Sequence, residues 1–210
     1  MLTDNDLKTH WTQLHQHLTT DTSLVDYQFE HLTMMYTGAQ QTYHNLAHIR
    51  QLISLLETHK AAISDPEIVL FAIFFHDMVY NILFKDNEER SAEAAEKYLQ
   101  QLQYPAEKIT VVSEFILATK THINTLNNQD LDYFLDFDLA ILGTAPDIYQ
   151  EYARQIRTEY LIYPDAVYKP GRKKLLRHFL EAPAIYHTPV FRKLYETRAR
   201  QNIQAEIDTL

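Results

Sequence analysis

Gly38, Gly143 and Gly171 are the only glycines in 210 residues, and each stands just after, or between, stretches with helical spacing. A helix stop or a turn there gains from a residue free of the Cβ penalty at positive φ. Prolines mark the opposite ends. Pro66, Pro105, Pro146 and Pro189 open apolar-periodic stretches, and a proline in the first turn loses no hydrogen bond because those amides are unpaired anyway. Between these marks Leu7, Trp11, Leu14 and Leu18 recur at helical spacing, and Ile49, Leu52, Ile53 and Leu56 repeat the rhythm. This punctuation predicts about ten helices, over 4–19, 24–36, 44–59, 66–78, 87–102, 105–121, 130–142, 146–161, 171–182 and 189–208. No stretch alternates with period two for long, and hairpin dipeptides, repeats and linker-like tracts are missing from the sequence. The expected fold is therefore all-α. It is one compact multi-helix bundle over residues 1–210, with chemistry-bearing motifs in 43–143 and C-terminal helices in 144–210.

Composition narrows the function classes. Hydrophobic residues at 46% and charged residues at 22% suit a folded chain. A net charge of −9 speaks against a nucleic-acid partner, which usually requires a basic face. The longest apolar run, Ile68–Phe75, is bounded by Glu67 and His76-Asp77 and is far short of a membrane span, so no membrane partner is expected. The first residues are acidic where a signal peptide is basic and then apolar, and the expected location is cytoplasmic. The absence of cysteine removes disulfides and thiolate metal sites.

The chain has eleven histidines. His10, His15, His17, His31, His59, His178 and His187 sit among polar neighbours on expected helix surfaces and read as plain surface or structural residues. The others keep more telling company. His44 and His48, in Tyr43-His44-Asn45-Leu46-Ala47-His48, are one helical turn apart, a spacing that suits a metal site or an exposed pair. His76-Asp77 closes the run Val69–Phe75. An imidazole and a carboxylate at the end of a core helix want either solvent or a cation. Asp138 interrupts the apolar stretch Phe134–Leu142, where its partner is either a cation or an arginine such as Arg154 or Arg157.

Together, a spaced histidine, a His-Asp dyad and a distal aspartate resemble the HD-domain superfamily of metal-dependent phosphohydrolases, in particular its small stand-alone bacterial members. The resemblance rests on Tyr43–His48, Phe75-His76-Asp77, Asp86-Asn87-Glu88-Glu89-Arg90-Ser91-Ala92 and Asp136-Phe137-Asp138-Leu139 through Gly143. Gly171-Arg172 and Glu196–Asn202 extend it, so that it spans roughly residues 36 to 208. One departure is Gln41-Thr42, where the family often has a basic residue before the Tyr-His pair. The resemblance implies an all-helical HD-domain core. It also implies His48, His76, Asp77 and Asp138 as metal ligands, with Asp77 able to bridge to a second metal. Tyr43-His44-Asn45 with His48 is similar to the opening of cyclic-nucleotide phosphodiesterases, which implies that His44 is the proton donor. Leu117–His122 is similar to a stretch that brings a histidine toward phosphate, so His122 is a candidate substrate contact.

The implied function is hydrolysis of a small phosphorylated metabolite, with nucleotides the leading class, by metal-activated water. The catalytic residues are His44 and Asp77. Lys120, His122 and Arg90 are the basic candidates for substrate phosphate, and Glu88 for orienting a metal-bound water. Glu88 and Arg90 also read as a surface ion pair, and Lys169, Arg172, Lys173, Lys174 and Arg177 as a solvated face or a pocket rim. The cofactor is a divalent cation, Mn²⁺, Mg²⁺, Fe²⁺, Co²⁺ or Zn²⁺, and sulfur-free donors favour the first four over structural zinc. Two rival readings use the same core: an HD-type di-iron oxygenase, and a metal- or nucleotide-binding regulator without turnover. Exposed tyrosines among the 14 make a homodimer a candidate assembly.

Overall fold

The computed structural model describes residues 2–210, and all of their regular secondary structure is helical. The helices are α1 (Asp4–His15), α2 (Thr22–Met35), α3 (Leu46–His59), α4 (Pro66–Phe75), α5 (Asn87–Gln101), α6 (Ala106–Ala118), α7 (Gln129–Leu139), α8 (Pro146–Glu159), α9 (Asp165–Glu181), α10 (Pro189–Phe191) and α11 (Thr197–Thr209). A π turn, Arg192–Glu196, joins α10 to α11, so these two form one rod and the all-α expectation of about ten helices holds. Short 3₁₀ turns follow α3 and α7, at Lys60–Ala62 and Ala140–Gly143. Among the described residues no helix is long and apolar enough to cross a membrane. Packing divides the chain into two units, the first ending at Phe134 and the second being Leu135–Leu210, so the boundary falls within α7.

In the first unit, sequence signals set the helix starts. Thr3 and Asp6 form a capping box on α1, with Asp6 Oδ2 accepting the Thr3 amide at 2.6 Å. Asp65 caps α4, and Pro66 occupies its first turn. Asp130 accepts the amides of Ser64 and Asp65, both at 2.8 Å, and so ties the entry of α7 to that of α4. Ile68, Val69, Phe71, Ala72, Ile73, Phe74 and Phe75 are all buried. Helix α4 is thus apolar all round and central, packed against α3, α5 and α6.

One of these histidines takes the structural role and not a surface position. His15 is 2% exposed, with Nδ1 donating to Trp11 O at 2.7 Å and Nε2 accepting the Tyr98 hydroxyl at 2.7 Å. A neutral imidazole satisfies both bonds, so the polar neighbours in sequence concealed a core position. Burial pushes its pKa down to about 4 from 6.5. Between those values the unfolded chain takes up a proton that the native protein refuses. The His15 contribution is therefore complete above pH 6.5 and is lost as pH falls toward 4, by about 3 kcal/mol at most. Asp136, lifted to about 6 by burial, titrates with the opposite sign over part of this window. The check is therefore a difference: in urea denaturation from pH 7 to 4.5, His15→Gln should lack this acid-side loss relative to the wild type.

In the second unit α11 packs against the 3₁₀ turn Ala140–Gly143, α9 and α8. Asn202 Nδ2 donates to Leu142 O at 2.9 Å and Thr144 O at 3.0 Å. Arg172, buried, makes a two-pronged pair with Glu206 at 2.8 and 3.1 Å, which takes it out of the basic face expected around Lys173.

The glycines do not serve as positive-φ stops. None of the three has positive φ; Gln103, His122 and Asn127 do instead. Gln103 ends α5 in that conformation, with the next amide, of Tyr104, reaching back to Leu99 O at 3.0 Å. Gly143 is required by close approach, since a Cβ there would sit 2.5 Å from Tyr195 Cβ. Gly171 lies inside α9, which begins at Asp165 and runs through Pro170. Burial of Tyr168, Arg172 and Leu176 at four-residue spacing keeps that helix continuous past its two poor helix formers.

Candidate metal centre

Helix α3 starts at Leu46, so His44 precedes the helix rather than sharing its face with His48. The geometry of this entry comes from Asn45. Its Oδ1 accepts the Ala47 amide at 2.8 Å, while its Nδ2 donates to Gln41 O at 3.1 Å and Thr42 O at 2.9 Å. Folding back at Asn45 still brings the two rings close, with His44 and His48 centroids 6.0 Å apart.

The dyad sits at the other contributing helix end. Helix α4 stops at Phe75, and the His76 amide closes the last turn on Ala72 O at 2.9 Å. The buried Tyr36 hydroxyl accepts the Asp77 amide at 3.2 Å and donates to Phe74 O at 3.1 Å. A side chain from the end of α2 thereby fixes the backbone of the dyad. Nothing in the sequence around Tyr36 singled it out, because the contact joins residues far apart in the chain.

Three donor groups converge. His48 and His76 are 2% and 1% exposed, and their Nε2 atoms are 3.2 Å apart. Asp77 Oδ2 lies 3.1 Å from His76 Nε2 and 3.9 Å from His48 Nε2. His76 Nδ1 is 3.0 Å from Ile73 O, and since a carbonyl only accepts, the proton is on Nδ1. In the neutral ring, Nε2 then carries a lone pair directed toward another imidazole nitrogen and a carboxylate oxygen, an arrangement that a cation or an added proton relieves. Burial disfavours the charge on Asp77, but the imidazoles of His76, His44 and His48 outweigh it and hold the carboxyl at about 2. Among the described residues, His48 and His76 belong to a group that could hold a metal ion. Two imidazoles and a carboxylate without sulfur fit a divalent cation.

Aromatic rings frame this cluster. Phe134 meets His76 edge-on at 5.8 Å, Tyr43 lies 5.1 Å from His48, and Tyr80 stacks on His44 at 4.3 Å with 25° between the planes. The remaining sequence candidates are arranged as follows. Asp138 is on α7 and half-buried, and Arg154 and Arg157 take Glu151 and Asp165 as partners. Lys120 binds Lys85 O at 2.9 Å and pairs with Glu89, with Glu88 at 3.7 Å. Arg90 pairs with Asp86 at 2.9 Å and lies over the Phe84 ring. His122 follows α6 at φ 53°, its amide bonded to Ala118 O at 2.8 Å. Within the Asp86–Ala92 motif, Asn87 and Ser91 turn inward to bind the loop that follows the dyad. Asn87 Oδ1 accepts the Asn81 amide at 3.2 Å, and Ser91 Oγ accepts the Val79 amide at 3.0 Å.

Comparison of the chain with protein-family models, curated proteins and solved structures gave no match.

Proposed function

We propose that the chain is a metal-dependent phosphohydrolase acting on a small phosphorylated metabolite, with nucleotides the leading class. The observation that carries this reading is the convergence of two buried Nε2 atoms, 3.2 Å apart, with a carboxylate oxygen 3.1 Å from one of them. His48, His76, Asp77 and Asp138, the ligand set that the resemblance implies, would hold a divalent cation. When bound, the cation supplies Lewis acidity and a water acidified toward neutral pH.

The rest is the work of the chain. Two neutral imidazoles contribute no charge, so Asp77 and Asp138 provide the negative charges that match a divalent ion. Burial of the histidines keeps bulk water from competing for the donors. His44 stands beside the donor set and keeps its imidazole for delivering a proton to the leaving oxygen of the ester. Lys120 and Arg90, already matched by Glu89 and Asp86, are weaker holders of substrate phosphate than the sequence suggested.

The test is phosphate release from a panel of nucleotides, cyclic nucleotides and simple phosphoesters in Mn²⁺, with His76→Ala in parallel. Turnover by the wild type that the variant loses is the expected result. Equal release by both would expose a contaminant. Tight metal without turnover would replace the hydrolase reading with a regulator, and two bound irons with that of an oxygenase.

A further inference from the structure

Two features of the centre have no part in the reading above: the ring stacked on His44, and the Asn87–Ser91 segment bound to the loop after the dyad. They belong together. His44 lies in an irregular segment, and the Asn45 cap fixes its backbone but not its ring. Two aromatic side chains contact its ring. Tyr80 covers one face at 4.3 Å and 25°, and Tyr43 stands at right angles to it, at 5.0 Å and 85°.

Tyr80 is itself held on both sides. The Val79 amide donates to Ser91 Oγ at 3.0 Å, and that hydroxyl returns toward Val79 O at 3.4 Å. Asn81 exchanges two bonds with the Asn87 side chain, its amide donating at 3.2 Å and its carbonyl accepting at 2.9 Å. The residues flanking Tyr80 are thus clamped to the first turns of α5, three positions after Asp77. One loop carries both the dyad and the platform under His44.

We propose that Tyr80 is a positioning residue for proton delivery. Clamped by Asn87 and Ser91, its ring fixes the plane of the His44 imidazole so that the proton is aimed at the leaving oxygen. This assignment rests on the phosphohydrolase reading of the same centre. Its physical content is selective. A general acid matters when the leaving group is a poor one, such as an alkoxide, and hardly at all when the leaving group departs as a stabilised anion. A ring lost from beneath His44 should therefore slow one class of ester and spare the other.

The experiment compares kcat for an alkyl phosphoester and for the matching p-nitrophenyl ester, with metal content and circular dichroism checked for every variant. Tyr80→Ala should lower the alkyl-ester rate by ~10²-fold, within the range general acid catalysis supplies, and leave the p-nitrophenyl ester within a few-fold. Tyr80→Phe keeps the ring face and should keep the wild-type ratio between the two esters. Adding Tyr80→Ala to His44→Ala should produce no further selective loss, because the two act as one unit. Equal slowing of both esters in Tyr80→Ala, or additive losses in the double variant, would overturn the assignment and leave the hydrolase reading standing. Absence of wild-type turnover on every ester would overturn both.

Discussion

Asp77→Ala is expected to weaken metal binding by at least ~10²-fold, more than the loss of an outer hydrogen-bonding partner costs, while far-UV circular dichroism stays that of the wild type. The first half follows from charge. The Asp77 carboxylate is held at about 2 and therefore ionised, 3.1 Å from His76 Nε2. Its removal leaves two uncharged imidazoles and, of the proposed ligands, only the Asp138 carboxylate to offset the charge of the cation. The second half follows from where the backbone of the dyad gets its support. Tyr36 and Ala72 bind the amides of Asp77 and His76, and neither contact involves the deleted carboxylate. The side chain is also 20% exposed, so trimming it opens no closed cavity. Mn²⁺ titration beside circular dichroism reads both halves. Unchanged affinity would remove Asp77 from the ligand set, and loss of helix would make the dyad a structural element.

The largest effect on stability is expected elsewhere, at Asp136. Its carboxylate is fully buried and accepts the amides of His187 and Thr188 at 2.6 and 2.8 Å and the Thr188 hydroxyl at 2.6 Å. Thr188 in turn caps α10, its Oγ1 accepting the Phe191 amide at 3.3 Å. One side chain therefore organises the entry to the C-terminal rod. Asp136→Ala strands those donors and opens a void, at a cost of about 3 kcal/mol or more. Asp136→Asn keeps the volume but turns one acceptor into a donor, and should fall between Ala and the wild type. Burial lifts the carboxyl to about 6 against an unfolded value of 3.8. Below pH 6 the native protein therefore binds a proton that the unfolded chain releases, and the gap between wild type and Asp136→Ala should widen as pH falls from 7 to 5. Urea denaturation at those two values measures it. A gap that stays the same would mean that the carboxylate stays ionised.

The helices were legible because their signals are local. Prolines at 66 and 146 and the apolar spacing between such marks act within one or two turns of the residues they organise. Legibility failed where distant burial decides. Pro170-Gly171 reads as a boundary, yet α9 passes through it because Tyr168, Arg172 and Leu176 are buried on one side. His15 reads equally as a surface or a structural residue until Tyr98 supplies its second hydrogen bond. The centre divides in the same way. His48, His76 and Asp77 could be chosen from spacing and from charge beside an apolar run, and the fold does converge them. Tyr36 and Tyr80 could not, since each acts on a residue more than thirty positions away. In the Asp136-Phe137-Asp138 segment the two carboxylates look alike in sequence, and only the position of residues 187–188 shows that the first of them is a structural acceptor.

Trp11 is the single tryptophan of the chain, fully buried, with its indole N–H donating to Val25 O at 2.9 Å and its ring stacked on Tyr98. All of its neighbours lie before the boundary in α7, whereas the second unit has only tyrosine as a fluorophore. The molecule therefore contains a built-in optical reporter for half of itself. Excitation at the red edge, where tyrosine does not absorb, follows the melting of the first unit alone, while ellipticity follows the helices of both. Where the two transitions separate, their difference is the unfolding of the second unit, observed without any label.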